Sequence, residues 1–195
     1  MTRRILALAF AAGLILSSAM PVTAEWIGYN WKVAPSPPTV VPLYDSSPFP
    51  DLVLAVTEEW SQTTALRIEY HRADSCQSKA GRIAVCTAYQ SGRPASWTEI
   101  RFSGGTGQKT IQRVLIPVNT WNSMFALPPD PVLAAARRYV VCHEIGHGLG
   151  LLEKRWPYDP AAPDWWHYGC MNIAWQGQHP SPADLDTLLT VYGPG

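Results

Sequence analysis

Between Asp130 and Gly150, helix start and stop signals enclose two closely spaced histidines. Asp130 followed by Pro131 predicts a helix N-terminus, because proline is tolerated at the first helical position. Gly150 predicts the end of the helix, because glycine readily takes the left-handed conformation of a C-terminal cap. Residues four apart on a helix share one face, so His143 and His147 are expected to present both imidazoles to the same side.

The residues in and after this pair predict a catalytic zinc centre. Two imidazole nitrogens at this spacing suit a zinc ion, which binds nitrogen at about 2.0–2.1 Å. Glu144 follows the first histidine and is expected beside the metal, where it can take a proton from water. Catalytic zinc uses three protein ligands, and Gly150 lets the chain reverse so that Glu153 can face the same ion. We therefore expect one Zn²⁺ held by His143, His147 and Glu153, with Glu144 as general base.

The segment HEIGHGLGLLE, together with Cys170-Met171-Asn172 downstream, resembles the signature of the metzincin clan of zinc peptidases. That signature is H-E-x-x-H-x-x-G-x-x-H/D followed by a Met-turn. The chain is most similar to small secreted matrixin-like members, and the order of its elements follows the family from about residue 39 to 192. The resemblance implies the same two ligand histidines and the same glutamate base. It also implies that Met171 forms the apolar floor beneath the metal.

One position departs from this signature, because the family has histidine or aspartate where this chain has Glu153. A glutamate oxygen is a legitimate zinc ligand at about 2.0–2.2 Å. Its extra methylene alters its reach, and its negative charge makes the metal a weaker Lewis acid. Three interpretations follow: Glu153 binds the ion, His167 or Asp164 replaces it from the downstream loop, or the site has been lost. His71 is expected at the surface, and His179 at the surface or behind a ligand.

These features predict a secreted zinc-dependent endopeptidase that hydrolyses peptide bonds through metal-activated water, with a protein or peptide as substrate. The alternative is a catalytically inactive secreted metzincin-like binding protein, which the unusual Glu153 and a tryptophan-rich loop would suit. The loop tryptophans are expected either to line subsites near the cleft or to fill the core. They are Trp156, Trp165, Trp166 and Trp175.

Residues 1–24 have the pattern of a signal peptide. Arg3 and Arg4 form a basic start, the apolar run Ile5–Leu16 follows, and Val22-Thr23-Ala24 supplies small residues before the expected cleavage point. The apolar run is too short to span a bilayer comfortably. An uncleaved membrane anchor is the alternative interpretation.

The rest of the chain, residues 25–195, is expected to form a single catalytic domain with an irregular segment at residues 25–38. Removing the two N-terminal arginines from the 15 basic residues leaves 13 against 15 acidic ones, a formal net charge of −2. This balance offers no strong basic patch for nucleic acid or for an anionic membrane. We therefore expect an extracellular monomer that engages neither of them after signal cleavage.

Four cysteines, all in the predicted mature part, indicate two disulfides in an oxidising compartment. Of the three pairings that four cysteines allow, Cys76–Cys86 is favoured because it closes a short loop between two strand-like runs. The family resemblance places the Met-turn beneath the metal, which would bring Cys170 close to Cys142 and implies the second disulfide, Cys142–Cys170. Zinc-binding cysteines are the rival interpretation, but the usual C-x-x-C pairs are absent.

The remaining pattern predicts an α+β fold of the metzincin type, with a small twisted mixed sheet, an active-site helix, a Met-turn and a C-terminal helix. A surface helix is expected from its N-cap Asp51 to Thr63, and a last helix from the cap Ser181 to about Tyr192. The last of the predicted strands, beside the active-site helix, is expected to offer an edge to an extended peptide. The predicted strands are Thr39–Tyr44, Leu66–Tyr70, Arg82–Tyr89, Trp97–Phe102 and Gln112–Val118.

Overall fold

A computed structural model describes residues 27–104, 109–128, 130–153, 169–172 and 177–194. The predicted signal peptide therefore lies outside the described residues. Within these ranges the elements are β1 (Tyr29–Asn30), β2 (Thr39–Asp45), α1 (Pro50–Trp60), β3 (Leu66–Arg72), β4 (Arg82–Ala88), β5 (Glu99–Ser103), β6 (Lys109–Asn119), α2 (Ser123–Ala126), α3 (Pro131–Gly148) and α4 (Pro182–Tyr192).

The six strands form one mixed sheet in which every pairing except one is parallel. The strand order is β1-β6-β4-β2-β3, and β5 pairs antiparallel with β6. Strands β2 and β3 are parallel neighbours joined by α1, which is the connection that parallel strands require. A parallel-dominated mixed sheet with several helices is compatible with the predicted α+β class.

The apolar core lies between one face of the sheet and the helices. Alternate residues of β4 and β6 face this core, with Ile83 beside Val114 and Val85 beside Ile116. A Cβ atom at Gly148 would lie 3.2 Å from the Val114 side chain and 3.6 Å from that of Ile83. The C-terminal end of α3 therefore packs directly on the sheet, and this contact fixes the height of the helix above the strands.

The starts of α3 and α4 match the prediction. The Asp130 carboxylate accepts a hydrogen bond from the Leu133 N–H at 2.8 Å, and Pro131 takes the first helical position. Ser181 and Asp184 form a reciprocal capping box at the start of α4. These local signals fix where both helices begin.

The start of α1 differs from the prediction. Asp51 is not the N-cap, because Pro50 already occupies the first turn and Phe49 precedes it without a side-chain cap. Proline suits the first helical position, so the helix begins earlier and Asp51 lies inside its first turn. The helix also ends at Trp60 rather than at Thr63.

The prediction that the strand Gln112–Val118 offers an open edge to a peptide is wrong. The strand predicted at Gln112–Val118 extends over Lys109–Asn119 and is flanked by β4 on one side and β5 on the other. Strand β5 begins at Glu99, so Trp97 lies outside it, and β5 is largely exposed. Among the described strands, β5 and the two-residue β1 therefore form the open edges next to β6.

Both predicted disulfides, Cys76–Cys86 and Cys142–Cys170, are confirmed, with Cα–Cα separations of 5.3 and 5.8 Å. No cysteine is free, so the rival interpretation of cysteine zinc ligands is excluded. Disulfides are typical of oxidising compartments, and the two bridges are compatible with the predicted extracellular location. In the described part of the chain, no helix is both long enough and apolar enough to cross a membrane.

Candidate metal centre

The C-terminal end of α3 turns the chain back toward its own histidines. Gly150 has a φ of 91°. The Leu151 N–H donates to the Gly146 carbonyl at 3.1 Å, and the Gly150 N–H donates to the His147 carbonyl at 2.9 Å. These two bonds form a Schellman motif, which ends a helix and reverses the chain. The reversal leads the chain to Glu153, beside the histidine pair.

Each histidine of the pair is held by a backbone carbonyl. His143 Nδ1 lies 2.8 Å from the carbonyl oxygen of Cys170, and His147 Nδ1 lies 2.9 Å from that of Leu151. A carbonyl oxygen only accepts hydrogen bonds, so each Nδ1 carries the hydrogen. In the neutral rings the lone pair is therefore on Nε2. This is the usual way in which proteins orient a histidine that binds a metal through its other nitrogen.

The free nitrogens of both rings converge with a carboxylate. The two Nε2 atoms of His143 and His147 lie 3.0 Å apart, and Glu153 Oε2 lies 3.8 Å from His143 Nε2. One ligand atom from each of the three residues lies within 4.8 Å of the other two. Two nitrogen lone pairs that face each other at this distance are stabilised by a cation between them. The structure therefore brings together the three residues that the sequence predicts as ligands.

The donor set suits zinc. Ligand atoms at 2.0–2.2 Å around a tetrahedral zinc ion are about 3.3–3.5 Å apart, which lies between the two separations of 3.0 and 3.8 Å. Two imidazoles with one glutamate also form a known catalytic set, which leaves a fourth position for water. The Glu153 side chain is 38% exposed and that of His143 is 12% exposed, so the site opens to solvent on the glutamate side.

The surroundings of His143 favour its neutral form. Burial lowers the pKa of His143, and the neighbouring His147 ring lowers it further. The Cys170 carbonyl and the carboxylates of Glu144 and Glu153 act in the opposite direction, but the net shift is downward. A metal ligand must be the neutral imidazole, so the folded chain holds this ring in the state that metal binding needs.

Met171 packs against Gly146, on the helical turn that carries the two histidines. It is 1% exposed, and a Cβ atom at Gly146 would overlap the Met171 sulfur and lie 2.9 Å from the Trp60 ring. The missing side chain at Gly146 therefore lets both residues pack against the helix backbone. Trp60 also donates through its indole N–H to the Cys142 carbonyl at 3.1 Å. Apolar groups thus pack against the helix at the level of the ligand pair.

Glu144, the predicted general base, lines a cavity of about 420 Å³ together with His143 and Glu153. The cavity is bounded by α3, by the start of α2 and by the segment before β5. Its other walls are formed by Pro94, Ala95, Ser96, Asn122, Met124, Tyr139 and Val140. The predicted base therefore faces a space that can receive part of a substrate.

Tyr139 is a site residue that the sequence reasoning misses. Its ring stacks on His143 with centroids 5.6 Å apart, and its hydroxyl donates to the Asn172 carbonyl at 2.8 Å. Burial raises the pKa of Tyr139 to about 12, with smaller contributions from the charges of Glu153 and Glu144, so the hydroxyl stays protonated at neutral pH. Its position four residues before His143 on one helix face is the signal that could have identified it.

Thr98 is a second residue that the sequence reasoning misses. Its Oγ1 lies 2.6 Å from Glu144 Oε2 and 2.9 Å from the Glu144 carbonyl oxygen. The two residues are 46 positions apart, and no motif connects them. The contact exists only because the sheet places the segment before β5 beside α3.

The other predicted site residues lie elsewhere. His71 stacks on Tyr44 with ring centroids 4.7 Å apart, and its side chain is 37% exposed. His179 is 61% exposed and lies 2.8 Å from Glu59. Neither belongs to the ligand group, so both are confirmed as surface residues. Several predicted residues lie outside the described part of the chain: the alternative ligands Asp164 and His167, and the tryptophans Trp156, Trp165, Trp166 and Trp175.

No protein-family model matches this chain, and no curated protein matches it either. Its function is therefore inferred from the geometry of the site.

Proposed function

We propose that this chain is a zinc-dependent endopeptidase of the metzincin type. The observation that carries the proposal is the orientation of His143 and His147. Backbone carbonyls hold both Nδ1 atoms, so both Nε2 lone pairs point toward each other and toward Glu153. Three converging donors of this kind suit a bound cation, and Glu144 stands beside them at the wall of a cavity.

The chemistry follows from the residues around this cavity. When bound, zinc would supply a Lewis acid that lowers the pKa of water and polarises a carbonyl oxygen. Glu144 accepts the proton of the attacking water and passes it to the leaving amine. Its position directly after His143 on α3 keeps the carboxylate beside the ligand group, within reach of the reacting atoms.

The same cavity and the open strand edge support a peptide as substrate. The apolar side chains of Met124 and Val140 and the ring of Tyr139 line the cavity, which favours an apolar substrate side chain. Strand β5 begins at Glu99, directly after the residue that contacts Glu144. An extended peptide that pairs with the outer edge of β5 would therefore run past the general base.

The predicted signal peptide and the two disulfides support action outside the cell. We propose that the mature protein works there as a monomer, with proteins or peptides as partners and without nucleic acid or membrane. Its proposed cofactor is a single catalytic Zn²⁺.

Three proteins test this function: the wild type, Glu144→Gln and Glu58→Gln. Glu58 is exposed on α1, so Glu58→Gln is a matched control for the loss of one carboxylate. Elemental analysis should find one zinc ion per chain in all three. Cleavage of unfolded casein should be chelator-sensitive in the wild type and the control, and about 10²–10⁴-fold slower in Glu144→Gln.

Wild type that binds no zinc after refolding with excess metal would contradict the proposal. Wild type that binds zinc but cleaves no protein would instead favour the inactive metzincin-like binding protein.

A further inference from the structure

We propose that Thr98 is a positioning residue for Glu144, an inference that rests on the proposed peptidase function. The Thr98 hydroxyl lies 2.6 Å from Glu144 Oε2 and 2.9 Å from the Glu144 carbonyl oxygen. Both contacts reach α3 from the segment that leads into β5. One side chain thus connects the open strand edge to the residue that handles the proton.

The hydrogen of this hydroxyl can be assigned from its neighbours. The Thr98 hydroxyl has one hydrogen, and both neighbouring atoms of Glu144 are acceptors. The 2.6 Å contact has the length of a bond from a hydroxyl to a charged carboxylate, about 2.5–2.7 Å. The hydrogen therefore points to Oε2, and we assign proton transfer to Oε1.

The sheet holds Thr98 in place from both sides. Before it, the Ser96 hydroxyl donates to the Pro117 carbonyl at 2.7 Å, and Ser96 forms an isolated bridge with Val118. After it, Glu99 begins the antiparallel pairing of β5 with β6. The hydroxyl therefore occupies a position set by strand pairing, and this makes it a fixed support for a neighbouring side chain.

Such a support matters because glutamate is a long side chain with several accessible rotamers. Proton transfer requires the carboxylate to stay within about 2.6–3.2 Å of the atom that loses the proton. Holding Oε2 keeps Glu144 in one arrangement and leaves Oε1 to face the reacting water. A substrate paired with β5 would run past Thr98, so the same residue links substrate placement to the position of the base.

Two substitutions separate the hydroxyl from the shape of the side chain. Thr98→Val keeps the shape and removes the hydroxyl, whereas Thr98→Ser keeps the hydroxyl and removes the methyl group. Thr64→Val, at an exposed position before β3, controls for the general effect of this exchange. The measurements are bound zinc, kcat and KM for a peptide substrate.

We expect Thr98→Val to bind zinc as the wild type does and to lose about 10–100-fold in kcat, with KM changed less than about twofold. Thr98→Ser is expected to retain at least about a third of the wild-type kcat. An unchanged kcat in Thr98→Val, or an equal loss in Thr98→Ser, would overturn the assignment.

A second measurement does not depend on activity. Crystal structures of the metal-free wild type and of Thr98→Val should differ in the Glu144 side chain, which is expected to leave its single rotamer in the variant. An unmoved Glu144 carboxylate would overturn the role of Thr98. If the wild type neither binds zinc nor cleaves peptides, the proposed function fails, and this comparison still decides whether Thr98 positions Glu144.

Discussion

The carbonyl oxygen of Cys170 lies 2.8 Å from Nδ1 of His143, and the Cys170 sulfur is bonded to Cys142, the residue before that histidine. Two consecutive residues of α3 therefore hold the same residue of the segment 169–172, one covalently and one through a hydrogen bond. The hydrogen bond fixes which nitrogen of His143 is free. The disulfide keeps the accepting carbonyl in place even when no metal is bound.

Removing this disulfide is expected to affect both stability and metal binding. Replacing Cys142 and Cys170 together by alanine should lower the free energy of unfolding by about 3 kcal/mol, because the cross-link restricts the unfolded chain. It should also lower zinc affinity by about 10–100-fold, because the carbonyl that orients His143 is no longer fixed. Denaturant unfolding and competitive zinc titration measure the two effects.

The other disulfide supplies the control. Alanine at both Cys76 and Cys86 should cause a comparable loss of stability. It should leave zinc affinity unchanged, because that disulfide joins β4 to the preceding loop and not to the ligand helix. If the two double variants bound zinc equally well, the proposed role of the Cys142–Cys170 disulfide would be wrong.

Packing against Gly146 gives a second prediction. Gly146→Ala should destabilise the protein by about 1–3 kcal/mol, because the added methyl group would collide with the Met171 sulfur and the Trp60 ring. Met171→Ala should cost about 2–5 kcal/mol through the cavity it leaves. The double variant should lose less than the sum, because the methyl group at position 146 then occupies part of that cavity. Denaturant unfolding measures these losses. If the losses of the two single variants simply added in the double variant, positions 146 and 171 would not be in contact.

Zinc itself is expected to stabilise the folded chain. At a free concentration a hundred times its Kd, it should raise the free energy of unfolding by about 2.7 kcal/mol. His147→Ala removes one donor and should lose this increment, whereas His179→Ala, at a 61% exposed position outside the ligand group, should keep it. Unfolding with and without zinc provides the comparison. Equal stabilisation of His147→Ala and wild type would place the bound zinc elsewhere.

Tyr70 on β3, which is not one of the three grouped ligands, gives a prediction for alkaline pH. Burial, together with the charge and hydrogen bond of Asp45, raises the pKa of Tyr70 to about 12, whereas an unfolded tyrosine ionises near 10. The folded chain keeps a proton that the unfolded chain loses, so the free energy of unfolding should fall as pH rises from about 10 to 12. Asp45→Asn should bring the ionisation of Tyr70 back toward 10. Ultraviolet difference titration measures the ionisation of tyrosine, and Tyr70→Phe assigns the signal to Tyr70. Identical titration curves for Asp45→Asn and wild type would show that Asp45 does not raise the pKa of Tyr70.

The elements that can be predicted from sequence are those set by local signals. Asp130, Gly150 and Ser181 mark helix ends correctly because caps and left-handed glycines act within one turn of the chain. The sequence pattern predicts an open edge at β6, whereas the structure has one at β5, because strand order depends on pairing between distant residues. The sequence of one strand does not specify which strands will pair with it.

In the site, too, some features are set by local sequence and others by contacts between distant residues. Helix periodicity predicts that His143 and His147 share a face, and the Schellman motif after them accounts for the place of Glu153. The Leu151 carbonyl, which orients His147, belongs to the turn after the helix and is therefore set by the local sequence. The Cys170 carbonyl, which orients His143, comes from a distant segment. Thr98 reaches Glu144 through the packing of sheet on helix, which no spacing in the sequence specifies.

We expect His143, His147 and Glu153 to hold one zinc ion together. The most direct measurement is a crystal structure of the zinc-loaded protein, with anomalous diffraction recorded on both sides of the zinc absorption edge. We expect one anomalous peak about 2.0–2.2 Å from Nε2 of both histidines and from a carboxylate oxygen of Glu153. A peak whose third protein ligand is another residue, or no peak at these histidines in excess zinc, would contradict this ligand set.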